Sequence, residues 1–266
     1  MKITYVKNIR VQGTREITDG EANTPQAHPI DLYAAADRTP KVVALGPKSV
    51  RAIFVEIGTD EGVAGIFGPI QQEQAFIIDN QLGPFLVGND PLAIEALHDQ
   101  MLRLNRHGRS GIFMTGLSPL DCALWDLKGK AWGQPIWRLL GGPTRDKVPA
   151  YASMLGHSIE PEAAAAKAKE KKELGYTAQK WFFRFGPAHG AEGMEKNLAM
   201  ATAVRTAVGP HYKLMFDAFM GWDRNYAIQM VQALEPLKPT WMEEPIAPER
   251  VGEVAQIRAA SRTPIA

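Results

Sequence analysis

The sequence predicts an α/β protein whose C-terminal part builds a parallel sheet from repeated strand–helix units. After about residue 141, apolar runs of strand length alternate regularly with helical patterns, and two of these runs end in a carboxylate. Parallel strands buried on both faces read as nearly continuous apolar runs, and each needs a crossover to reach the next. Before residue 140, three strand patterns come first and helices follow, which predicts a separate α+β domain.

The N-terminal domain is predicted to span residues 1–140. Its last helix is well marked, because Ser118 suits an N-cap, Pro119 the first turn and Gly133 a stop. Residues 12–48 show no sustained period and contain several glycines and prolines, so we expect a long active-site loop there. The predicted elements are strands at 3–11, 50–57 and 63–67 and helices at 71–82, 91–104 and 117–131.

Residues 141–266 are predicted to form a barrel domain. Four strand–helix units follow one another, and the final residues 263–266 have the pattern of a fifth strand. A closed (β/α)8 barrel needs eight strands, so we expect only about the first half of a TIM-like barrel and a chain truncated within it. The predicted strands lie at 148–153, 178–183, 212–217 and 240–243, and the helices at 161–173, 192–208, 225–237 and 250–260.

Composition argues against several classes of function. The 266 residues carry a formal net charge of +1 with no long run of one sign, so we expect no nucleic-acid or membrane partner. The amino terminus lacks the apolar stretch of a signal peptide, and no apolar run approaches bilayer length. Cys122 is the only cysteine, which rules out an intrachain disulfide. We expect a cytoplasmic enzyme.

Two acidic residues at strand ends are the main functional signal. Asp217 ends one apolar strand and Glu243 ends the next, one helix later. Such carboxylates point into one space, where they repel unless a cation lies between them or one of them is protonated. A single acid at a strand end is often only the N-cap of the next helix. Two acids on adjacent strands favour a site for a hard cation such as Mg²⁺.

Three further residues are candidates for contact with a substrate. Most lysines are solvated surface charges, but Lys180 lies within a strand beside Trp181, Phe182 and Phe183, which favours a functional position. A lysine near a bound carboxylate can hold it electrostatically or move a proton. His28, in the long loop, and Arg184, just after the same strand, are candidates for binding substrate hydroxyls.

In combination, these segments resemble the enolase superfamily, mandelate racemase subgroup. The motif around the two acids is Met215–Met220 with Trp241–Pro245, and the helix at 117–131 followed by Leu139–Gly142 is also typical of the superfamily. The segment Gln179–Pro187 is most similar to L-rhamnonate dehydratases and related acid-sugar dehydratases. The resemblance covers nearly the whole chain.

The resemblance implies an N-terminal α+β capping domain over a modified (β/α)7β barrel, with Mg²⁺ bound by acids on three successive strands. Asp217 and Glu243 match the first two ligands, and the third would lie beyond Ala266. Racemases and epimerases of the subgroup carry a second lysine as the base, where this chain has Phe182, which cannot take a proton. The similar dehydratases use a histidine from later strands, also beyond Ala266.

We therefore expect a Mg²⁺-dependent lyase that dehydrates a small-molecule sugar acid to a 2-keto-3-deoxy sugar acid. Lys180 would help to neutralise the enediolate, and His28 and Arg184 would contact the substrate. The alternatives are an epimerase, racemase or cycloisomerase of the same superfamily, or an inactive truncated fragment that acts only in binding. We also expect a homo-oligomer, since an open half-barrel exposes a strand edge and apolar faces.

Overall fold

The computed structural model describes residues 1–17, 22–33, 41–42 and 46–266. The chain forms two compact units. One joins Met1–Ile17 to Gly46–Lys147, and the other joins Val148–Ala266 to the described part of Thr18–Leu45. This division differs from the sequence-based one, which assigned the whole of segment 12–48 to the N-terminal domain.

Strands and helices alternate along the second unit but not along the first. In chain order the strands are β1 (Ile3–Ile17), β2 (Ala22–Asn23), β3 (Lys41–Val42), β4 (Gly46–Thr59), β5 (Ala64–Ile70), β6 (Ala152–Ser153), β7 (Ala178–Phe182), β8 (Lys213–Asp217) and β9 (Trp241–Glu243). The helices are α1 (Gln72–Ile77), α2 (Gly83–Leu86), α3 (Ile94–Leu104), α4 (Ile112–Trp132), α5 (Ile136–Leu139), α6 (Pro161–Glu173), α7 (Gly190–Val208), α8 (Arg224–Leu234) and α9 (Val251–Ala259). In the described ranges, no helix is both long enough and apolar enough to cross a membrane.

The first unit is an antiparallel sheet of order β1–β4–β5 packed against helices. Its core combines Val55 and Ile57 from the sheet with Leu97, Leu120 and Leu124 from α3 and α4, all of them buried. Burial of one sheet face against helices is the arrangement expected of an α+β domain. The predicted α+β character of the N-terminal part is therefore confirmed.

β1 and β4 are longer than predicted, because both extend into segment 12–48. Antiparallel pairing continues from Gln12 opposite Arg51 to Ile17 opposite Gly46. Nearly all the side chains along this extension are exposed, so no apolar alternation marks it in the sequence. The remaining described pieces of the segment include the short antiparallel pair β2–β3. The predicted loop at 18–21, 34–40 and 43–45 lies outside the described residues.

The helix α4 begins earlier than predicted, so Ser118 and Pro119 lie inside it rather than at its start. A proline inside a helix has no N–H to bond the carbonyl one turn before it. Here that carbonyl, of Thr115, accepts a hydrogen bond of 2.8 Å from the side-chain amide of Gln74 on α1. The tertiary contact therefore makes the internal proline tolerable. The predicted stop at Gly133 is correct, with φ of 62°.

The second unit is a parallel sheet of order β6–β7–β8–β9. One face packs on the helices through Trp181, Phe216 and Met242, which are buried. The last residues pair in parallel with β9, where Ile265 bridges Met242 and the N–H of Ala266 donates to Met242 O at 3.0 Å. Sequential strands that lie side by side in parallel are the beginning of a (β/α) barrel, as predicted.

Candidate active site

The inner face of the parallel sheet carries the candidate site. Because side chains alternate along a strand, the residues that do not face the helices form a second surface. On that surface, the strand register places Phe182, Asp217 and Glu243 in one row at the carboxyl ends of β7, β8 and β9. Lys180 lies on the same face of β7, one layer below this row. The two predicted metal ligands are thus direct neighbours.

The ammonium group of Lys180 joins the two carboxylates. Its Nζ donates to Asp217 Oδ2 at 3.0 Å and to Glu243 Oε1 at 2.5 Å. The Lys180 side chain is 12% exposed and that of Asp217 is 7% exposed. Burial alone would lower the pKa of Lys180, but the hydrogen bonds to Glu243 and Asp217 and their negative charges outweigh burial and raise the pKa. The site therefore holds one positive charge between two acids.

Each carboxylate is fixed through its other oxygen. Asp217 Oδ1 accepts a hydrogen bond of 2.8 Å from the backbone N–H of Phe219, and Glu243 Oε2 accepts one of 2.8 Å from the indole N–H of Trp241. The Trp241 ring in turn packs edge-on against Tyr151, with the ring centroids 6.4 Å apart. One oxygen of each acid is therefore oriented by the protein, and the other faces the shared cation.

Neither Asp217 nor Glu243 caps the helix that follows it, which was the alternative explanation for an acid at a strand end. Helix α8 is capped by Asp223, whose side chain accepts from the N–H of Tyr226, and α9 follows Arg250. Asp217 and Glu243 precede these caps by several residues. Their side chains are directed into the inner face instead.

The loops after β8 and β9 hold unusual backbone conformations. Phe219, Met220 and Glu244 have φ of 47°, 60° and 41°, and among the described non-glycine residues only Lys238 shares a positive φ. The two loops are bonded to each other, since the N–H of Met220 donates to Glu244 O at 2.7 Å. Left-handed backbone at non-glycine residues costs about 1–3 kcal/mol each and clusters at functional sites.

The donor set fits a hard divalent cation. Asp217 and Glu243 offer only oxygen, and a single positive group already contacts both at once. Burial raises the pKa of the neighbouring Glu244, and the charges of Asp217 and Glu243 raise it further, as expected where acids converge. No cluster of three His, Cys, Asp or Glu side chains suited to a metal occurs in the described part of the chain, and Asp217 and Glu243 are a pair.

His28 and Arg184 both lie against Asp31 Oδ2, but their side chains have different surroundings. His28 is exposed, and its ring packs against Phe219 with the centroids 5.8 Å apart. Arg184 is only 6% exposed, and its Nη1 lies 3.5 Å from Oδ2 of the buried Asp31. His28 is therefore open to a ligand, whereas the guanidinium of Arg184 faces a carboxylate of the same unit.

The sequence indicated most of this site but missed two residues in it. Lys180, Asp217 and Glu243 were predicted and are in direct contact. Trp241 was missed although it lies two positions before Glu243, and strand alternation places both on one face. Asp31 gave no signal, because its partner Arg184 lies far along the chain and only the fold brings them together.

Two family models match the chain. The N-terminal domain of mandelate racemase / muconate lactonizing enzyme matches residues 30–141, and the enolase C-terminal domain-like family matches residues 163–266. The chain therefore belongs to the enolase superfamily, in the mandelate racemase / muconate lactonizing enzyme group. It has the fold of that superfamily, with an N-terminal capping domain and a partial barrel-type parallel sheet, which confirms the predicted fold class.

Individual relatives include several enzymes that act on sugar acids. The L-rhamnonate dehydratase of Saccharopolyspora erythraea is 32% identical over 217 residues, which are 81% of this chain and 53% of that protein. The solved L-talarate/galactarate dehydratase of Salmonella typhimurium LT2, bound to Mg and L-lyxarohydroxamate, has a TM-score of 0.75 at 26% identity, covering 99% of this chain and 63% of its own.

A third relative has a different activity. The 3,6-anhydro-D-galactonate cycloisomerase of Zobellia galactanivorans has a TM-score of 0.74 at 26% identity, covering 100% of this chain and 64% of its own. The fold alone therefore does not separate dehydration from cycloisomerisation. The chain spans about half the length of the curated relatives it matches.

Proposed function

We propose that this chain is part of a Mg²⁺-dependent sugar acid dehydratase. The observation that carries the proposal is the contact of Lys180 with both Asp217 and Glu243 at the carboxyl ends of parallel strands. Barrel enzymes keep their catalytic groups at that end. The similarity to L-rhamnonate and L-talarate/galactarate dehydratases supports sugar acids as the substrate class.

The proposed roles follow from the contacts of each side chain. Asp217 and Glu243 would hold Mg²⁺, which supplies positive charge to a substrate carboxylate and so makes its α proton easier to remove. Phe219, through its backbone, and Trp241, through its indole, keep the two acids oriented. Lys180 would place a second positive charge where negative charge develops during proton removal.

In the proposed reaction the α proton and the β-hydroxyl are lost together as one water, and the enol that remains tautomerises to a 2-keto-3-deoxy sugar acid. His28, which is exposed beside Phe219, would contact a hydroxyl of the substrate. Arg184 would affect the contact between His28 and the substrate only through Asp31, because its guanidinium is buried against the Asp31 carboxylate.

Two alternatives differ in how they suit the site. Racemisation or epimerisation through a lysine base is disfavoured, because Phe182 stands opposite Asp217 and a phenyl ring carries no proton to transfer. A cycloisomerase is the second candidate, favoured by the similarity to the Zobellia galactanivorans enzyme. It differs from a dehydratase in releasing no water from the substrate.

A screen of sugar acids in D2O tests the proposal. The protein used should continue through the remaining barrel strands, with the 266-residue chain assayed beside it. We expect Mg²⁺-dependent formation of a keto acid that has lost one water, and loss of this activity in Lys180→Met. Lys196→Met, which removes a lysine that is 54% exposed, is the matched control and should retain activity.

The other outcomes identify the alternatives. Exchange of the α proton for deuterium without a keto acid would indicate a racemase or epimerase. A rearranged isomer that has lost no water, and differs in mass only by deuterium taken from the solvent, would indicate a cycloisomerase. Binding of a sugar acid to the 266-residue chain without turnover would support the binding-only alternative for this chain.

A further inference from the structure

Residues 24–33, called here the strap, lie against the segments that follow β6, β7 and β8. The backbone N–H of Ala27 donates to Phe183 O at 2.7 Å, directly after β7. The N–H of Thr24 donates to Gly156 O at 3.4 Å, after β6. Thr24 and Ala27 are buried. The strap is therefore attached to the carboxyl ends of two strands through its backbone.

One carboxylate oxygen of the strap, Asp31 Oδ2, faces the positive charge of Arg184, two residues after β7. Asp31 Oδ2 accepts a hydrogen bond of 3.0 Å from the backbone N–H of His28 and lies 3.5 Å from Nη1 of Arg184. The side chains of Asp31 and Arg184 are 1% and 8% exposed, so both charges are removed from water. Neutralising one member of a buried pair is far more costly than breaking an exposed pair.

The same short turn orients the imidazole of His28. Residues Pro29–Leu32 form one turn of 3-10 helix capped by His28, and the N–H of Ile30 donates to His28 Nδ1 at 3.4 Å. With Nδ1 as the acceptor, the proton of a neutral ring lies on Nε2, which becomes a donor. The ring packs on Phe219, two residues after Asp217. The strap thus presents a hydrogen-bond donor beside Phe219, whose backbone N–H holds Asp217.

We propose that Asp31 is a positioning residue, which acts through Arg184 and the His28 backbone to hold the His28 imidazole at the carboxyl ends of β7 and β8. This inference rests on the proposed function only where it takes His28 as a contact to a sugar acid hydroxyl. It gives Arg184 the role of holding Asp31 in place, so that Arg184 affects substrate binding only through Asp31 and His28.

Gly221 gives an independent way to disturb the same geometry. A Cβ at this glycine would lie 2.7 Å from Ala27 Cβ and 2.9 Å from His28 N. Gly221→Ala therefore pushes the strap away without altering a charge. Gly252→Ala is the matched control, because a Cβ there meets nothing within 4 Å.

Amide hydrogen exchange measures how firmly the strap is held. In the 266-residue protein, Asp31→Asn should speed exchange at the Ala27 and His28 amides by about 10- to 100-fold, the effect of losing a charged hydrogen-bond partner. Gly221→Ala should act in the same direction. Asp99→Asn, which removes an exposed carboxylate paired with Arg103, should leave both amides at the wild-type rate.

Kinetics separate positioning from general stability. In a protein that continues through the barrel, Asp31→Asn should raise the KM of a sugar acid about tenfold, with a smaller change in kcat, since it displaces a binding group. In a His28→Ala background the same substitution should add almost nothing. Arg184→Lys keeps the positive charge and should restore most of the slow exchange that Arg184→Met loses.

Two results would overturn the inference. One is wild-type exchange at Ala27 and His28 in Asp31→Asn. The other is an Asp31→Asn effect on KM that persists in full when His28 is alanine, since Asp31 would then act by another route. Absence of any sugar acid turnover in the wild-type enzyme would refute the proposed function instead, and the exchange rates would still decide whether Asp31 holds the strap.

Discussion

A largely buried cationic side chain lies at each end of the parallel sheet, and the two cations have different kinds of partner. At the carboxyl end, Lys180 contacts two carboxylates. At the amino end, Arg205 is 9% exposed and donates only to backbone carbonyls that precede β8 and β9. The acceptors are Gly209 O at 2.9 Å, Tyr212 O at 2.6 Å, Leu237 O at 2.8 Å and Lys238 O at 3.2 Å.

This difference in partners separates Arg205, a structural cation, from Lys180, for which we propose a catalytic role. Burial lowers the pKa of Arg205, because its partners are neutral and do not compensate the charge. At Lys180 the two acids outweigh burial and raise the pKa. Arg205 connects the loops before β8 and β9, and each of its three guanidinium nitrogens donates at least one hydrogen bond. The trio of Lys180, Asp217 and Glu243 keeps one negative charge in excess, which suits the binding of a further cation.

The largest effect is expected from removing the lysine at the carboxyl end. Lys180→Met should lower kcat about 10²- to 10³-fold, since a preorganised positive charge is lost. It should also strengthen Mg²⁺ binding, because the ammonium no longer competes for the two carboxylates. Turnover assays and isothermal titration check the two effects, with Lys196→Met as control. Weaker Mg²⁺ binding in Lys180→Met would contradict the shared site.

Removing a carboxylate should weaken metal binding, in contrast to removing the lysine. Asp217→Asn and Glu243→Gln should each weaken Mg²⁺ binding by more than about 100-fold, the upper end for groups that only support a ligand. Asp223→Asn is the control, because asparagine caps α8 as well as aspartate does. Isothermal titration gives the affinities. Unchanged affinity in both site variants would remove the proposed metal site.

At the amino end, the expected loss is in stability rather than in metal binding. Arg205→Met leaves several carbonyls of partly buried hydrogen bonds without their donor and should lower the free energy of unfolding by about 3 kcal/mol. Mg²⁺ affinity should stay at the wild-type value. Chemical denaturation and titration measure the two quantities, with the exposed Arg103→Met as control. A clear change in Mg²⁺ affinity would show that the two ends are not independent.

The smallest effect distinguishes the indole of Trp241 from that of Trp181. Trp241→Phe removes the hydrogen bond to Glu243 but keeps a ring, and should weaken Mg²⁺ binding about tenfold. Trp181→Phe removes the indole bond to Gln179, on the helix-facing side, and should leave Mg²⁺ affinity unchanged. Equal effects of the two substitutions in titration would show that Trp241 does not orient the metal ligand.

Local sequence patterns were sufficient to predict those strands whose side chains are buried. The strands around Lys180, Asp217 and Glu243 were predicted because continuous apolar runs between helices identify buried parallel strands. The extension of β1 to Ile17 was missed because its side chains are exposed, so its pairing leaves no trace in hydrophobicity. The start of α4 was misplaced because Gln74 from another helix makes an internal proline tolerable.

The sequence by itself determined the alternation of strands and helices and the acids at two strand ends. Only the tertiary structure decided that Lys180 reaches both acids and that Asp31 pairs with Arg184. The physical reason is the separation along the chain of the residues that determine each feature. Periodicity and strand-end chemistry are fixed by neighbours within a few residues, whereas the partner of a buried charge is fixed by crossovers and loops that bring distant segments together.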